Sequence, residues 1–563
     1  MGVFDWIIVG GYVVISMAVG LLFSKRAGKS MSDYFLSGRS LPWWVIGCSM
    51  VATTFAADTP LAVTEYVRSE GIWRNWFWWT LAISHVLAAV VFSRLWRRAN
   101  VLTDNELIEL RYQGKPAAVL RAFKACYFST LYNFIVMGWV TAAMSTVLSA
   151  FLDIPIIWAV IACMVVALFY SLLSGFWGVV VTDVIQFFVA MIGSVIFAVM
   201  AANKAGGMEN LIEKLTISGQ GSTLEFFPTA DATPETWYSF LVFVLVMWWS
   251  SHNADGGGYI IQRMMSAKDE RHARAGTLWF AIAHYVLRVW PWVVVALASM
   301  TILPTLASDR QAYPEVMSTI LPAGMRGLFV AVFLAAFMST IDTHLNWGSS
   351  YIVNDLYKRF FKPKESARHY VVVSKITSFF LMIIAGGVAL TITKISAAWE
   401  FVWAMGAGVG AVLILRWFWW RINAWSELSA MGTSLLLAIG IHLHDFMTGT
   451  QTPLYIKALI VVSCSTVVWV SVTFLTRPEP RKTLQIFCER VRPPGFWPFE
   501  INSGGIGKRT LVAWLGGVAL IYGAMFFVGS LVLLKHDDLW WTGALVIVGT
   551  FLTWWGLREK KSQ

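Results

Sequence analysis

The sequence predicts an all-α polytopic membrane protein organised around two inverted five-helix repeats. Three observations carry this. Apolar runs of spanning length recur from end to end. Charge is sparse, with 57% of the 563 residues hydrophobic and only 13% charged. Two of the runs, the second and the seventh, are interrupted by residues that break helices. A run of about 20 apolar residues crosses hydrocarbon as a helix, because its backbone groups must pair internally. Fifteen such runs are expected, at 4–23, 42–67, 75–95, 117–152, 156–173, 177–202, 237–261, 276–302, 327–356, 371–392, 397–420, 427–444, 454–475, 511–534 and 539–557.

The first run lacks a basic leader and a small-residue cleavage site, and Asp5 stands near its start, so it reads as a retained helix. The formal net charge of +11 is not a nucleic-acid footprint, because the basic residues cluster in alternate loops. They include Lys25, Arg26, Lys29 and Arg39; Arg97, Arg98, Arg111 and Lys115; Arg263, Lys268, Arg271 and Arg274; and then 358–368, Arg416 with Arg421, 477–509 and 558–561. The positive-inside rule then places the N-terminus outside and the C-terminus in the cytoplasm of an inner (plasma) membrane. Fifteen spans fit that parity. The five cysteines form no paired motif, which argues against a disulfide framework or a thiolate metal site.

In the second run, FAADTPLAV, Pro60 removes a backbone hydrogen bond in mid-span and biases Thr59 away from helical geometry, with Asp58 beside the break. In the seventh, MWWSSHNADGGGYIIQRM, Gly256, Gly257 and Gly258 weaken the helix just after His252, Asn253 and Asp255. These runs are five apart, so they cross in opposite senses. Interrupted helices at matching places in two inverted halves point to the solute site of a secondary transporter. The expected divisions are a leading helix and loop (1–41), a first repeat (42–204), an extracytoplasmic loop (205–236), a second repeat (237–422) and four additional helices (423–563).

The ninth run carries the densest polar cluster, in LAAFMSTIDTHLNWGSSYIVNDLYKRFF. Ser339, Thr340, Asp342 and Thr343 are three or four apart and share one helix face. A carboxylate there is a functional signal, since facing lipid costs several kcal/mol. Hydroxyls with a carboxylate form a hard oxygen set that suits a small hard cation. HLHD at 442–445 is the nearest approach to an enzyme-like cluster and lacks a third partner. SGGIGK at 503–508 lacks the full phosphate-loop spacing and reads as a Gly-rich loop.

DYFLSGRSLPWW, AADT at 56–59, GFWGVVVTDVIQ around Asp183, IIQRMMSAKDERHA after the seventh run and AAFMST at 335–340 together resemble the sodium/solute symporter family, in the family's order. The resemblance covers the leading helix and the ten-helix core. It implies the LeuT-type inverted-repeat fold and import of a small organic solute with sodium by alternating access, with no other cofactor. It implies a sodium site at Ala56, Thr59, Ala336, Ser339 and Thr340. It also implies a second cation site in which Asp183 matches the family's aspartate. There the two later hydroxyl positions fall on Asp342 and Thr343, so a carboxylate stands in for one hydroxyl. That departure reads either as a stronger second sodium site or as a proton in sodium's place.

The expected solute lining is Ala57, Asp58, Asn133, His252, Asn253, Asp255, Gly256 and Gly257, with Tyr132 and Trp139 nearby. Arg288, in HYVLRVWPW, lies about 20 Å along its helix. A buried arginine needs a carboxylate from the protein or from the solute, and an internal aspartate is the favoured expectation. Sialic acid members of the family use an arginine in the third core helix, and no arginine stands in the middle of 117–152. Sugars, amino acids and other small solutes all remain open, as does a homo-oligomeric assembly in the lipid.

Overall fold

The computed structural model describes residues 1–27, 31–499 and 507–558. Most of SGGIGK (503–506), with Lys29, Lys560 and Lys561, lies outside the described residues. The described chain is helical, without a β-strand; two isolated bridges join Leu41 to Ala267 and Trp419 to Phe496. Among the described residues, ten helices are long and apolar enough to cross a membrane, and an eleventh candidate is the pair Trp43–Thr54 and Asp58–Glu70, bent by 58°. The other expected spans are helical but short or interrupted. Runs 156–173 and 177–202 fall in one helical stretch, Ile156–Ala205.

The membrane character is visible on the outer surface. Along Phe176–Ala205, the side chains Ile185, Phe188, Ile192, Val195 and Val199 are exposed at alternating three- and four-residue spacing. That is one apolar stripe with no protein partner, as a lipid-facing helix requires. Inside, helix Met325–Phe361 is the most enclosed of these spans, with every residue from Phe329 to Tyr351 buried. It packs against the first broken helix, against Ile156–Ala205 and against Gly114–Leu152.

The first break falls at Phe55–Ala57, between helices ending at Thr54 and beginning at Asp58. Thr59 was expected to lose helical geometry ahead of Pro60, and the structure corrects that. Thr59 is helical, and Pro60 stands in the first turn of the second half, where a missing N–H leaves nothing unpaired. The second break falls at 251–257, between Trp248–Ser250 and Gly258–Ser266. Gly256 (φ 128°) and Gly257 (φ 72°) adopt backbone conformations that favour glycine, and a Cβ on Gly257 would overlap the Asn253 side chain.

A third interruption was not foreseen. The run 397–420 divides into Ile395–Gly406 and Gly410–Leu415. Its GAGVG sequence lets it approach the second break closely, since a Cβ on Gly410 would overlap the Trp249 and Ser251 carbonyls. The freed backbone of Gly408 is satisfied by the following helices, its N–H by Ser434 Oγ (3.1 Å) and its carbonyl by Ser465 Oγ (3.2 Å).

The topology argument also needs a correction. Arg263, Arg111 and Arg416, counted as loop charges, are buried, Arg263 completely. Lys268, Arg271 and Arg274 still follow the seventh run.

The last two helices form a tight hairpin docked on the core. Trp514 Nε1 donates to the Ile83 carbonyl (3.0 Å), Tyr522 Oη to Trp79 (3.0 Å), and Trp290 Nε1 to Met525 (2.8 Å). Within the hairpin, Gly516, Gly523, Gly549 and Gly556 lie where a Cβ would meet the facing backbone or side chain, the small-residue packing of membrane helices. Gly549→Leu is expected to prise the hairpin apart and cost about 1–3 kcal/mol. Thermal unfolding of the detergent-purified chain reads this as a lowered melting temperature, with Gly543→Leu, a more open position, as the comparison.

Candidate functional site

The carbonyls freed where Trp43–Thr54 ends are met by the polar face of Met325–Phe361. Ser339 Oγ donates to the Ala52 carbonyl (3.0 Å) and to its own helix at Ala336 (3.0 Å). Thr340 Oγ1 donates to the Thr53 carbonyl (2.8 Å) and to Ala336 (3.2 Å). The Ala56 carbonyl, expected as an ion ligand, accepts from the Thr59 N–H (3.2 Å) across the break. The cluster therefore gathers hydroxyl and carbonyl oxygens at the C-terminal end of a half-helix, where the peptide dipoles favour a cation. The carbonyls that meet Ser339 and Thr340 are those of Ala52 and Thr53, whereas Ala56 and Thr59 bond each other at the break. The contribution of Ala52 and Thr53 comes from the backbone, which a residue motif does not show.

The cluster opens onto a cavity of about 200 Å³ between the two breaks. Thr53, Ala56, Thr59 and Thr340 line it on the ion-cluster side. Asp58, His252 and Asn253 reach it as expected, together with Tyr132 and Trp139. Ala57, Asn133, Asp255, Gly256 and Gly257 do not line it. Asn133 is held by His344, its Nδ2 on the His344 carbonyl (3.0 Å) and its Oδ1 at 2.6 Å from His344 Nδ1. Asp255 is buried against Arg416 (2.5 Å) and Trp417 Nε1 (2.9 Å), and Arg416 also reaches Glu427 (3.3 Å). Asp255 thus anchors the second break to the helix beside it.

Arg288 also lines the cavity, and here the expectation of an internal aspartate partner fails. Among the described residues no carboxylate lies within 4 Å of it. Its Nε donates to the His284 carbonyl (3.2 Å), Nη1 to Thr54 Oγ1 (3.3 Å) and Nη2 to His284 Nε2 (2.9 Å). A guanidinium can only donate, so His284 Nε2 is the acceptor and its proton sits on Nδ1, toward Thr54 Oγ1 at 2.9 Å. His284 lies in a π-helical turn, Ala283–Leu287, a distortion that often accompanies a functional site.

Beside the ion cluster is a second polar centre. Asp183 and Thr343 come together as expected, with a guanidinium between them. Arg263 donates to Ser49 Oγ (3.0 Å), to Thr53 Oγ1 (3.0 Å), to Thr343 Oγ1 (2.7 Å) and to Asp183 Oδ2 (3.3 Å). Ser49 Oγ donates to the same carboxylate oxygen (2.5 Å). Asp342 is buried close enough to Asp183 for mutual repulsion and bonds the Ser171 side chain. Oδ1 of Asp183 and Oδ1 of Asp342 are both buried without a partner among the described residues. HLHD does not form a catalytic cluster. Asp445 pairs with Lys457 (2.9 Å) and caps Thr452, and His444 is exposed.

The sequence model of the sodium:solute symporter family matches residues 34–433. The chain belongs to that family. The symporter is 27% identical over 455 residues to a sodium/glucose cotransporter of Vibrio parahaemolyticus, covering 76% of this chain and 83% of that one. It is 25% identical over 558 residues to sodium/glucose cotransporter 1 of Oryctolagus cuniculus, covering 88% and 82%. Its fold is similar to that of a substrate-bound, outward-open sodium-coupled sialic acid symporter, with a TM-score of 0.69 at 21% identity over 85% of this chain and 99% of that one. The fold is thus the LeuT-type arrangement. The chain is a multi-pass membrane transporter of the sodium-coupled class and not an enzyme.

In this symporter, sequence reasoning missed Arg263 because it follows a glycine break and precedes a basic loop, which makes it look like a loop charge. Its partners come from three other helices. Removing it leaves Asp183 buried and unpaired, so Arg263→Met is expected to destabilise by about 3–5 kcal/mol. Adding Asp183→Asn should recover part of that loss. Thermal melts of the two single variants and the double variant check the coupling.

Proposed function

We propose that this symporter imports a small organic solute together with sodium by alternating access. Sodium binds where Ser339 and Thr340 face the carbonyls of Ala52 and Thr53, with Ala56 and Thr59 following at the break, and the solute binds in the adjoining cavity. The observation that supports the reading is this adjacency: Thr53 and Thr340, joined by a hydrogen bond, line the cavity together with Ala56 and Thr59 at the break. An ion drawn to the break would hold the two helices together and shape the cavity wall. Its loss to a low-sodium cytoplasm would loosen that wall and release the solute. The repeats 42–204 and 237–422 are the halves that move, and 423–563 braces them. The alternate basic loops support an inner-membrane placement with the N-terminus outside and the C-terminus inside.

Uptake into proteoliposomes tests the site. Replacing both hydroxyls, in Ser339→Ala with Thr340→Ala, is expected to raise the sodium concentration for half-maximal uptake at least tenfold. Unchanged sodium dependence would remove the assignment.

A second monovalent cation is favoured by the charge of the neighbouring centre. Two buried carboxylates, Asp183 and Asp342, repel one another, only Asp183 is paired with the Arg263 guanidinium, and each keeps an unpartnered oxygen. One further positive charge, sodium or a proton, would balance the centre. With sodium there, the Hill coefficient for sodium-driven uptake exceeds 1 and falls to 1 in Asp342→Asn. With a proton there, the wild-type coefficient is 1 and Asp342→Asn removes the pH dependence of uptake. A coefficient of 1 with no pH dependence rules the second site out.

A further inference from the structure

Two charged side chains line the cavity, Asp58 from the first broken helix and Arg288 from Glu270–Ile302. Both are almost completely buried, at 2% exposure each. Asp58 lies within electrostatic reach of Arg288 but not in contact with it, and the direct partners of the guanidinium are dipoles and ring faces: the His284 carbonyl and imidazole, the Thr54 hydroxyl, and the rings of Trp78 (5.9 Å) and Trp292 (5.3 Å). A guanidinium has five N–H donors, and three are used here, which leaves one on each terminal nitrogen. Those two form the fork that matches a carboxylate. Asp58 is compensated on one oxygen, where Trp399 Nε1 donates to Oδ2 at 2.8 Å, while Oδ1 is buried with no partner among the described residues. The cavity therefore presents an open anion-binding fork and an open acceptor of a cationic N–H, with no net charge between them.

From this juxtaposition we propose that the solute is a small zwitterion, its carboxylate taken by Arg288 and its cationic nitrogen by Asp58. The inference rests on the transport reading and narrows its solute. A singly charged solute would answer one buried charge and leave the other. A neutral polyol would bring only further dipoles to both. A zwitterion gives each buried group a counter-charge while keeping the site neutral, which lowers the desolvation penalty of both. The aromatic walls, with Trp139 and Trp399 6.4 Å apart between centroids and Trp399 bonded to Asp58, suit an apolar or N-alkylated body beside the cationic end.

The test is the sodium-dependent thermal shift of the full purified chain. The probes are the standard amino acids, glycine betaine, glucose, and the amine and acid that remain when each active zwitterion loses its carboxylate or its nitrogen. At least one zwitterion is expected to stabilise the chain in sodium, and its amine and acid fragments should bind at least tenfold more weakly. Arg288→Gln should erase the preference over the amine, and Asp58→Asn the preference over the acid. Each variant is read against the shift given by sodium alone, which reports that it is folded. The idea is overturned if glucose or a singly charged fragment gives the largest shift, if no zwitterion acts, or if both variants keep the wild-type preferences. A shift with sodium alone that disappears in Ser339→Ala with Thr340→Ala tests the coupling ion separately, so the solute proposal can fail while the transport reading stands.

Discussion

The polar face of helix Met325–Phe361 cannot be left in hydrocarbon, and the arrangement of the core follows from how it is satisfied. Ser339 and Thr340 turn to the carbonyls at the first break. Thr343 takes the Arg263 guanidinium, His344 takes Asn133, and Asn346 takes Gln262 (3.0 Å). These partners lie on three elements, with Arg263 and Gln262 both on Gly258–Ser266, so one helix fixes the first break, the second broken helix and Gly114–Leu152 relative to one another. Because unmade hydrogen bonds at this depth cost several kcal/mol, the contacts set register as well as affinity.

That constraint explains why the hydroxyl–carbonyl cluster adjoins the cavity. A broken helix frees carbonyls that need donors, and the hydroxyls that supply them sit on the helix forming the cavity wall. A cation competing for the same carbonyls would change how firmly the wall is held. Under the proposed function, coupling needs no long-range pathway, because the proposed ion and solute positions share residues. The second break is fixed differently. Asp255 is fastened to Arg416 and Glu427, and the GAGVG turn fits against the backbone of Trp249 and Ser251. The first break is thus held by neutral hydroxyl–carbonyl hydrogen bonds, and the other is tied down by fixed charges.

Much of the fold and part of the site were legible from residue order. Asp58 and His252 could be placed because proline and glycine interrupt an apolar run only where the backbone has other partners. Ser339 and Thr340 could be placed because period 3.6 puts them on one face. Arg263 and Arg288 show where this stops. Both are arginines near helix breaks or deep in helices. One has a carboxylate from a helix about 80 positions away in sequence, and the other has none. Pairing between distant helices leaves no local pattern, and neither does the close approach that makes GAGVG an interruption instead of a span.

The sequence by itself determined the membrane class, the inverted repeat and the polar face of the central helix, because hydropathy and helical period are local and lipid enforces them strongly. The tertiary structure decided which oxygens gather at the break, which charges neutralise one another and which remain open to a ligand. Those are questions of distance between helices, and a few ångströms separate a compensated carboxylate such as Asp255 from an open one such as Asp58.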